Sequence, residues 1–397
     1  MDMTYGLTVC EVVMLVIGSV FSQIFRSVIG DVDWTPLSIF YGGEPGVWFD
    51  PSDLTTLFQD SAGITPVTAP GQTVGLMLDK SQGLALGSEL WSDTGVTVGT
   101  GWTVASGVYT HTAGIDTFQK NIGLVTGKTY QVTFTVTGRT AGNIGPVYGG
   151  SVSGPTVTAN GTYTQRVASG TNALLYFQPS IDFVGSVSGI SVKLLAGNHA
   201  TRSTLAQRPT YQIDSNGFTY LSFDGVDDSM VTPTITPGIG KAQAFSGVRK
   251  LSDATFQTIA ETSTSPDASN GSLGFGSSTL TGDALRRTWS FGSRGTNFQI
   301  AGSGIFAAPI SSVLGGVGDI AADTSILRVN GSQVASNIND QGAGNYLAYP
   351  LYIGRRAAAS NAFNGRLYSL IVRFGDNLAS NQITSAENWV NSKTGAY

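Results

Sequence analysis

Sulfur, imidazole and charge are all scarce in this chain, and each shortage removes a class of function. Cys10 is the only cysteine among 397 residues, so no intrachain disulfide can form and stability must come from burial. With two histidines, His111 and His199, and that single cysteine, a zinc site of four His/Cys ligands is excluded. Neither histidine lies in a nucleophile motif such as G-x-S-x-G. The glutamates, Glu11, Glu44, Glu89, Glu261 and Glu387, are scattered, whereas glycoside hydrolysis needs two carboxylates flanking one bond. Charged residues make up 12% of the chain, and lysine and arginine gather only in short pairs such as Arg286-Arg287 and Arg355-Arg356, two pairs read here as solvated strand ends. A net charge of -5 without a concentrated basic face argues against nucleic acid as a partner. A non-enzymatic protein is expected.

What the chain has in abundance is glycine, 52 residues, together with alternating Thr, Ser and Val. That composition favours turns and strands over helices and predicts an all-β protein. The clearest strand is Lys128 to Val136, where Tyr130, Val132, Phe134 and Val136 alternate with polar residues. Asn330-Gly331 between two alternating runs predicts a tight hairpin, since both residues tolerate positive φ. A helix is expected from Asn381 to about Ser392, capped by Ser380, stopped by Gly395, with Ile383, Ala386 and Val390 facing inward.

Residues 1 to 34 carry the most apolar run, Leu7 to Ile29. A signal peptide would need a basic start, and only Asp2 precedes the run; a membrane span is interrupted by Glu11, Ser19, Ser22, Gln23 and Arg26. Val13, Ile17, Val20, Ile24 and Val28 recur at near-heptad steps, which favours an amphipathic helix for oligomerisation or anchoring, with a trimer as the expected state.

The remainder reads as one domain interrupted by another. The host occupies residues 35 to 82 and 197 to 397, and residues 83 to 196 have the texture of a complete small β domain inserted at a surface turn, where an insertion disturbs least. Before the break, Val47-Trp48-Phe49 and Val74 to Leu78 read as strands, and Ser52 or Asp53 caps a helical turn at Leu54 to Phe58.

The run PGVWFDPSDLTTLFQDSAGITPVTAPGQTVGLMLDKSQG (residues 45 to 83), followed after the insertion by Gly197-Asn198-His199-Ala200 and Arg208-Pro209-Thr210-Tyr211, resembles a family of tailed-bacteriophage virion proteins. In that family these segments lead into a concanavalin A-like, laminin-G-like sandwich. The hairpin at Asn330-Gly331, the Tyr352-Ile353-Gly354 strand and the strand after Asn364-Gly365 resemble such sandwiches too. The inserted segment resembles carbohydrate-binding modules of the galactose-binding-like jelly-roll group, through Gly101-Trp102, Gly127-Lys128-Thr129-Tyr130 and Gly189-Ile190-Ser191-Val192.

The resemblance implies a virion structural protein, a head or tail fibre, decoration or adhesin subunit, assembled in the host cytoplasm and released by lysis. Its expected partners are other virion proteins, copies of itself and host-surface polysaccharide. A membrane-anchored or secreted bacterial lectin is the alternative. Trp91, Trp102, Tyr109, Tyr148, Tyr163 and Tyr176 are the rings that can offer a flat face to a sugar, or else fill the core. Asp224, Asp227 and Asp228 form an acidic cluster able to hold a structural calcium ion, although aspartates also terminate turns.

Overall fold

The computed structural model describes residues 34–278 and 285–397. The expected N-terminal helix, with Val13, Ile17, Val20, Ile24 and Val28, lies outside the described residues.

Among the described residues the strands form four antiparallel sheets that pair off into two sandwiches. The larger sandwich has an eight-stranded sheet, in which Gly46–Phe49, Lys241–Lys250 and Thr219–Asp224 all pair with the central strand Asn364–Phe374. It faces a nine-stranded sheet running from Leu57–Phe58 and Leu76–Met77 through Ala200–Thr201, Met230–Ile235 and Tyr349–Ile353 to Gln257–Thr262, Leu273–Ser278, Thr288–Arg294 and Phe298–Ile305. Val47, Phe49, Leu221, Val248, Leu314 and Val372 from the first sheet meet Met77, Ile259, Phe275, Phe291, Leu351 and Ile353 from the second in one buried core. Period-two alternation along each strand supplies those inward residues, and burying each large one contributes about 2 kcal/mol.

The strands between Leu86 and Leu195 pair only with one another, in sheets of six and five strands. Tyr130, Val132, Phe134 and Val136 point inward to Phe118, Tyr148, Leu175 and Phe177, as the alternation of that strand requires. The strand itself runs Thr129–Ala141. Its extension past Gly138 carries no hydrophobic alternation, and its neighbour Val184–Leu195 shifts register beside it, so the sequence signal stops early. The chain therefore lays down part of the large sandwich, then the whole of the small one, then returns to the large.

The two passages into and out of the small sandwich lie side by side. Asp79, buried, accepts hydrogen bonds from the backbone of Ser81 on the outgoing leg (2.8 Å) and of Asn198 on the returning leg (2.7 Å), and from Trp48 in the first strand of the large sandwich (2.8 Å). Farther out, Arg166 of the small sandwich donates its backbone N–H to Ala62 O at 2.6 Å and its Nη1 to Gly63 O at 2.9 Å, with its guanidinium over the Phe58 ring.

The hairpin falls at Asn330 and Gly331, whose φ values of 50° and 77° are the left-handed pair that such a turn requires. Helix α1, Ser380–Thr394, lies on the eight-stranded sheet against Lys241–Lys250, Ile310–Asp319 and Asn364–Phe374. It approaches so closely that a Cβ on Gly247 would sit 1.9 Å from Thr394 Oγ1. Ala386 and Val390 are fully buried there and Ile383 is only half-buried; Glu387, one position past the apolar stripe, is buried and paired with Arg328 at 2.7 Å. One capping expectation is corrected, and one helical turn is shorter than expected. Ser380 is the first helical residue and Ala379 the cap, because the Gln382 side chain reaches back to Ala379 N (3.0 Å); Gly395 ends the helix at φ 59° as expected. At Leu54–Thr56 the cap is Asp53, whose carboxylate accepts from Thr55 N, and the following Leu57–Phe58 is strand.

Candidate functional site

Burial moves four of the six expected sugar-stacking rings into the core of the small sandwich. Trp91, Trp102, Tyr109 and Tyr148 are each at most 7% exposed. They pack among themselves and their neighbours, Tyr109 stacking on Phe118 at 4.2 Å and Trp102 meeting the same ring edge-on at 4.8 Å. Their polar tips are satisfied internally: Trp91 Nε1 and Tyr109 Oη both donate to Asp93, Trp102 Nε1 to Asp116 O, and Tyr148 Oη to Gln165. Rings with both faces covered present nothing to a ligand. Tyr163 and Tyr176 are half-buried on the strands Gly161–Ala168 and Leu174–Pro179.

The aspartate cluster is brought together. One carboxylate oxygen from each of Asp224, Asp227 and Asp228 lies within 4.8 Å of the others. Both sequence readings meet at this spot, because Asp224 Oδ1 also accepts the backbone N–H groups of Val226, Asp227 and Asp228, which closes the turn. Burial and the neighbouring Asp224 charge push Asp228 up to about 7. The donor set suits calcium, a hard cation that prefers carboxylate oxygen, and loading it would displace the proton from Asp228.

An apolar concavity lies elsewhere, on the outer face of the nine-stranded sheet. It is a cleft of about 220 Å³ walled by Phe256, Phe298 and Ile300, floored by Gly274, Gly276 and Gly292, and edged by Glu261, Asp267 and Arg356. The floor is low because its residues lack side chains: a Cβ on Gly292 would lie 2.4 Å from the Phe298 ring.

Glu261 owes its position to a β-bulge. Strict alternation from Thr258 would aim Glu261 into the core, but the register with Leu273–Ser278 slips between Thr258 and Ala260, so that Ile259 and Ala260 are both core residues and Glu261 turns outward beside Thr258. It is still 2% exposed, and burial pushes its carboxyl up to about 7 against the pull of Arg356. Arg356 Nε donates to both Glu261 oxygens at 3.1 Å, and its Nη1 lies 3.4 Å from Asp267 Oδ1. Asp267 is held below its usual range by the Ser265 hydroxyl and by Arg356 and Arg294. The Arg356 guanidinium also lies over the Phe256 ring, 5.4 Å from its centre.

This is a second correction: of the Arg355-Arg356 pair read as solvated, Arg356 is an ion-paired wall of a cleft, and both side chains are half-buried. Arg355 donates to the carbonyls of Ala358 and Ala359. The loop that holds them is strained, with Ala357, Ala358 and Asn361 at φ values of 48°, 54° and 53°, a conformation retained only where surrounding structure enforces it. Sequence reasoning passed over Phe256 and Phe298 because each stands alone in its stretch, and it read Arg356 only as half of a charged pair. The glycines alternating in Gly274-Phe275-Gly276 and at Gly292 were the available signal of a bare sheet surface.

The histidines take no part. His111 donates from Nδ1 to Phe183 O (2.6 Å) and packs on Trp102; His199 is buried beside Asp79, and burial lowers its imidazole to about 4. Among the described residues, no helix is long and apolar enough to cross a membrane.

Fold and cleft together define an all-β protein of two sandwiches with an open, aromatic-walled hollow on one outer face. No protein-family model matches the chain, and no curated protein sequence matches it either. Among solved structures it is similar to the binding domain of botulinum neurotoxin DC in complex with rat synaptotagmin II, at 11% identity over 46% of this chain and 45% of that one, with a TM-score of 0.34. It is also similar to a heptameric SAP-like pentraxin from Limulus polyphemus (13% identity, 41% and 78% coverage, TM-score 0.32). A third is the sialidase CBM40 of Ruminococcus gnavus bound to α2,3 sialyllactose (11%, 38% and 84%, TM-score 0.30). The chain spans about half the length of the neurotoxin binding domain it matches.

Proposed function

We propose that this protein is a non-enzymatic, glycan-binding structural component of a tailed-phage particle, and that the sugar sits in the cleft between Phe256 and Phe298. The observation that carries the binding half is the cleft itself: two aromatic side chains beside a glycine floor leave an apolar surface for the C–H face of a sugar ring, with the exposed Asp267 at hand for its hydroxyls. Catalysis is not part of the reading.

The particle half rests on the sequence resemblance of residues 45 to 83 and 197 to 211 to virion proteins. In this reading the small sandwich is a guest carried at a surface turn of the large one, and residues 1 to 34 gather copies of the chain, most simply as a trimer. Several copies make a weak individual site sufficient, since linked sites bind with a high effective concentration.

Three experiments test the proposal. The purified chain is applied to a glycan array beside Phe298→Ala; binding that the substitution abolishes is expected, and an array without signal, or one indifferent to the substitution, overturns the binding half. Antibody labelling of intact phage particles by electron microscopy should decorate the head or tail, and label confined to bacterial membranes favours the surface-lectin alternative. Deleting residues 1 to 34 should leave folded monomers, and unchanged oligomers would remove the role assigned to that segment.

A further inference from the structure

We infer that the cleft selects a single uncharged pyranose at the end of a glycan and rejects sugars that carry a carboxylate. This rests on the reading of the cleft as a sugar site.

Size sets the first half. A hollow of about 220 Å³ lies below the roughly 300–1,000 Å³ of pockets that enclose larger ligands, which suits one ring and not an oligosaccharide. The rings on its wall are two phenylalanines without polar tips, so that wall contributes only apolar contact.

Charge sets the second half. Acidic sugars are ordinarily held by an unengaged arginine, whose planar fork matches a carboxylate. Here the one arginine of the cleft is already ion-paired with two carboxylates. Arg356 Nε is shared between the two Glu261 oxygens at 3.1 Å each, and its Nη1 faces Asp267 at 3.4 Å. The nearest other cation, Arg294, is turned to the Asp267 backbone carbonyl and to Asn270 Oδ1. An incoming carboxylate would therefore meet the exposed Asp267 charge at an edge where two carboxylates outnumber one half-buried guanidinium, in a partly desolvated setting where like charges repel more strongly than in water.

A hydroxyl meets the reverse situation. Carboxylate oxygens accept from it, and the exposed Asp267 is placed to do so.

The test measures dissociation constants by ligand-observed NMR with the full chain at pH 8. The probes are the methyl glycosides of glucose, galactose, mannose and N-acetylglucosamine against methyl glucuronide and sialyllactose. At least one neutral glycoside should bind ten-fold or more tighter than either acid, and Phe298→Ala should abolish that binding. Asp267→Asn alters an exposed side chain and keeps the fold safe; it should narrow the gap at least three-fold by removing one negative charge. Glu261→Gln frees Arg356 and should admit the glucuronide. Acidic sugars binding as tightly as neutral ones, in a manner abolished by Phe298→Ala, would overturn this selectivity and leave the sugar site standing. Binding of no probe, or binding insensitive to Phe298→Ala, overturns both.

Discussion

His199 Nδ1 accepts the backbone N–H of Asp79 at 2.9 Å, a contact between residues 120 apart in the chain. The Asp79 carboxylate answers across the same gap by accepting the backbone N–H of Asn198 at 2.7 Å. The two legs leading to the small sandwich are thus bolted together at one buried point, where Trp48 and Ser81 also converge.

Asp79→Ala is expected to be among the most damaging single changes in the chain. Burial raises the Asp79 carboxyl while three backbone donors and the Ser81 hydroxyl hold it. Removing it strands those N–H groups away from water, each at roughly 1–3 kcal/mol, for a total of at least about 3 kcal/mol. Urea denaturation followed by tryptophan fluorescence should show the loss, and new proteolytic cuts should appear near Gly197. A midpoint within experimental error of the parent would contradict the account.

His199 makes the same junction sensitive to acid. Its imidazole titrates near 4 in the folded chain, against an ordinary value of 6.5, because burial disfavours the charged form. Between those values the unfolded chain binds the extra proton, so stability is present above pH 6.5 and is lost as pH falls toward 4. His199→Asn keeps an acceptor for Asp79 N and removes the titration. The variant's melting temperature should decline less than the parent's between pH 6.5 and 4.5; parallel curves would exclude His199 as the source.

Glu261 works in the opposite sense. Its folded value of about 7 exceeds the ordinary 4.5, so the folded chain holds the proton longer and stability falls as pH rises from 4.5 to 7. The full shift corresponds to at most about 3 kcal/mol, at 1.36 kcal/mol per unit. Glu261→Gln mimics the protonated acid. Its melting temperature should match the parent's near pH 5 and exceed it by a few degrees at pH 8. Asp228→Asn should behave alike, since burial and Asp224 raise that group to about 7 as well.

Arg166→Ala should loosen the small sandwich without unfolding it. The side chain links Gly63 O to the Phe58 ring, while the backbone bond from Arg166 to Ala62 remains available. Faster amide exchange in residues 60 to 64, with the large core protected as before, is the expected pattern. Uniform acceleration across the chain would mean that the arginine supports global stability instead.

How much of this could be read from the residues varies with the length of the physical signal. Strands with alternating burial, such as Thr129–Ala141 in its first half, and turns with obligatory dihedrals, such as Asn330-Gly331, announce themselves locally. The cleft does not. Glu261 reaches it only through a bulge that breaks alternation, Phe256 stands just before one strand and Phe298 opens another, and Arg356 arrives on a strained loop. The aromatics of the small sandwich misled for the converse reason: a ring that can stack on a sugar is also the best filler of a core, and only burial tells the two apart.

Helix α1 gives the large sandwich a back. By roofing the eight-stranded sheet, with Gly247 recessed to admit Thr394 and Glu387 clasping Arg328, it leaves the glycine-floored side as the approachable front. A tag or surface tether attached on the helix side would therefore present every copy with its hollow facing outward, an orientation that comes from the architecture and needs no further engineering.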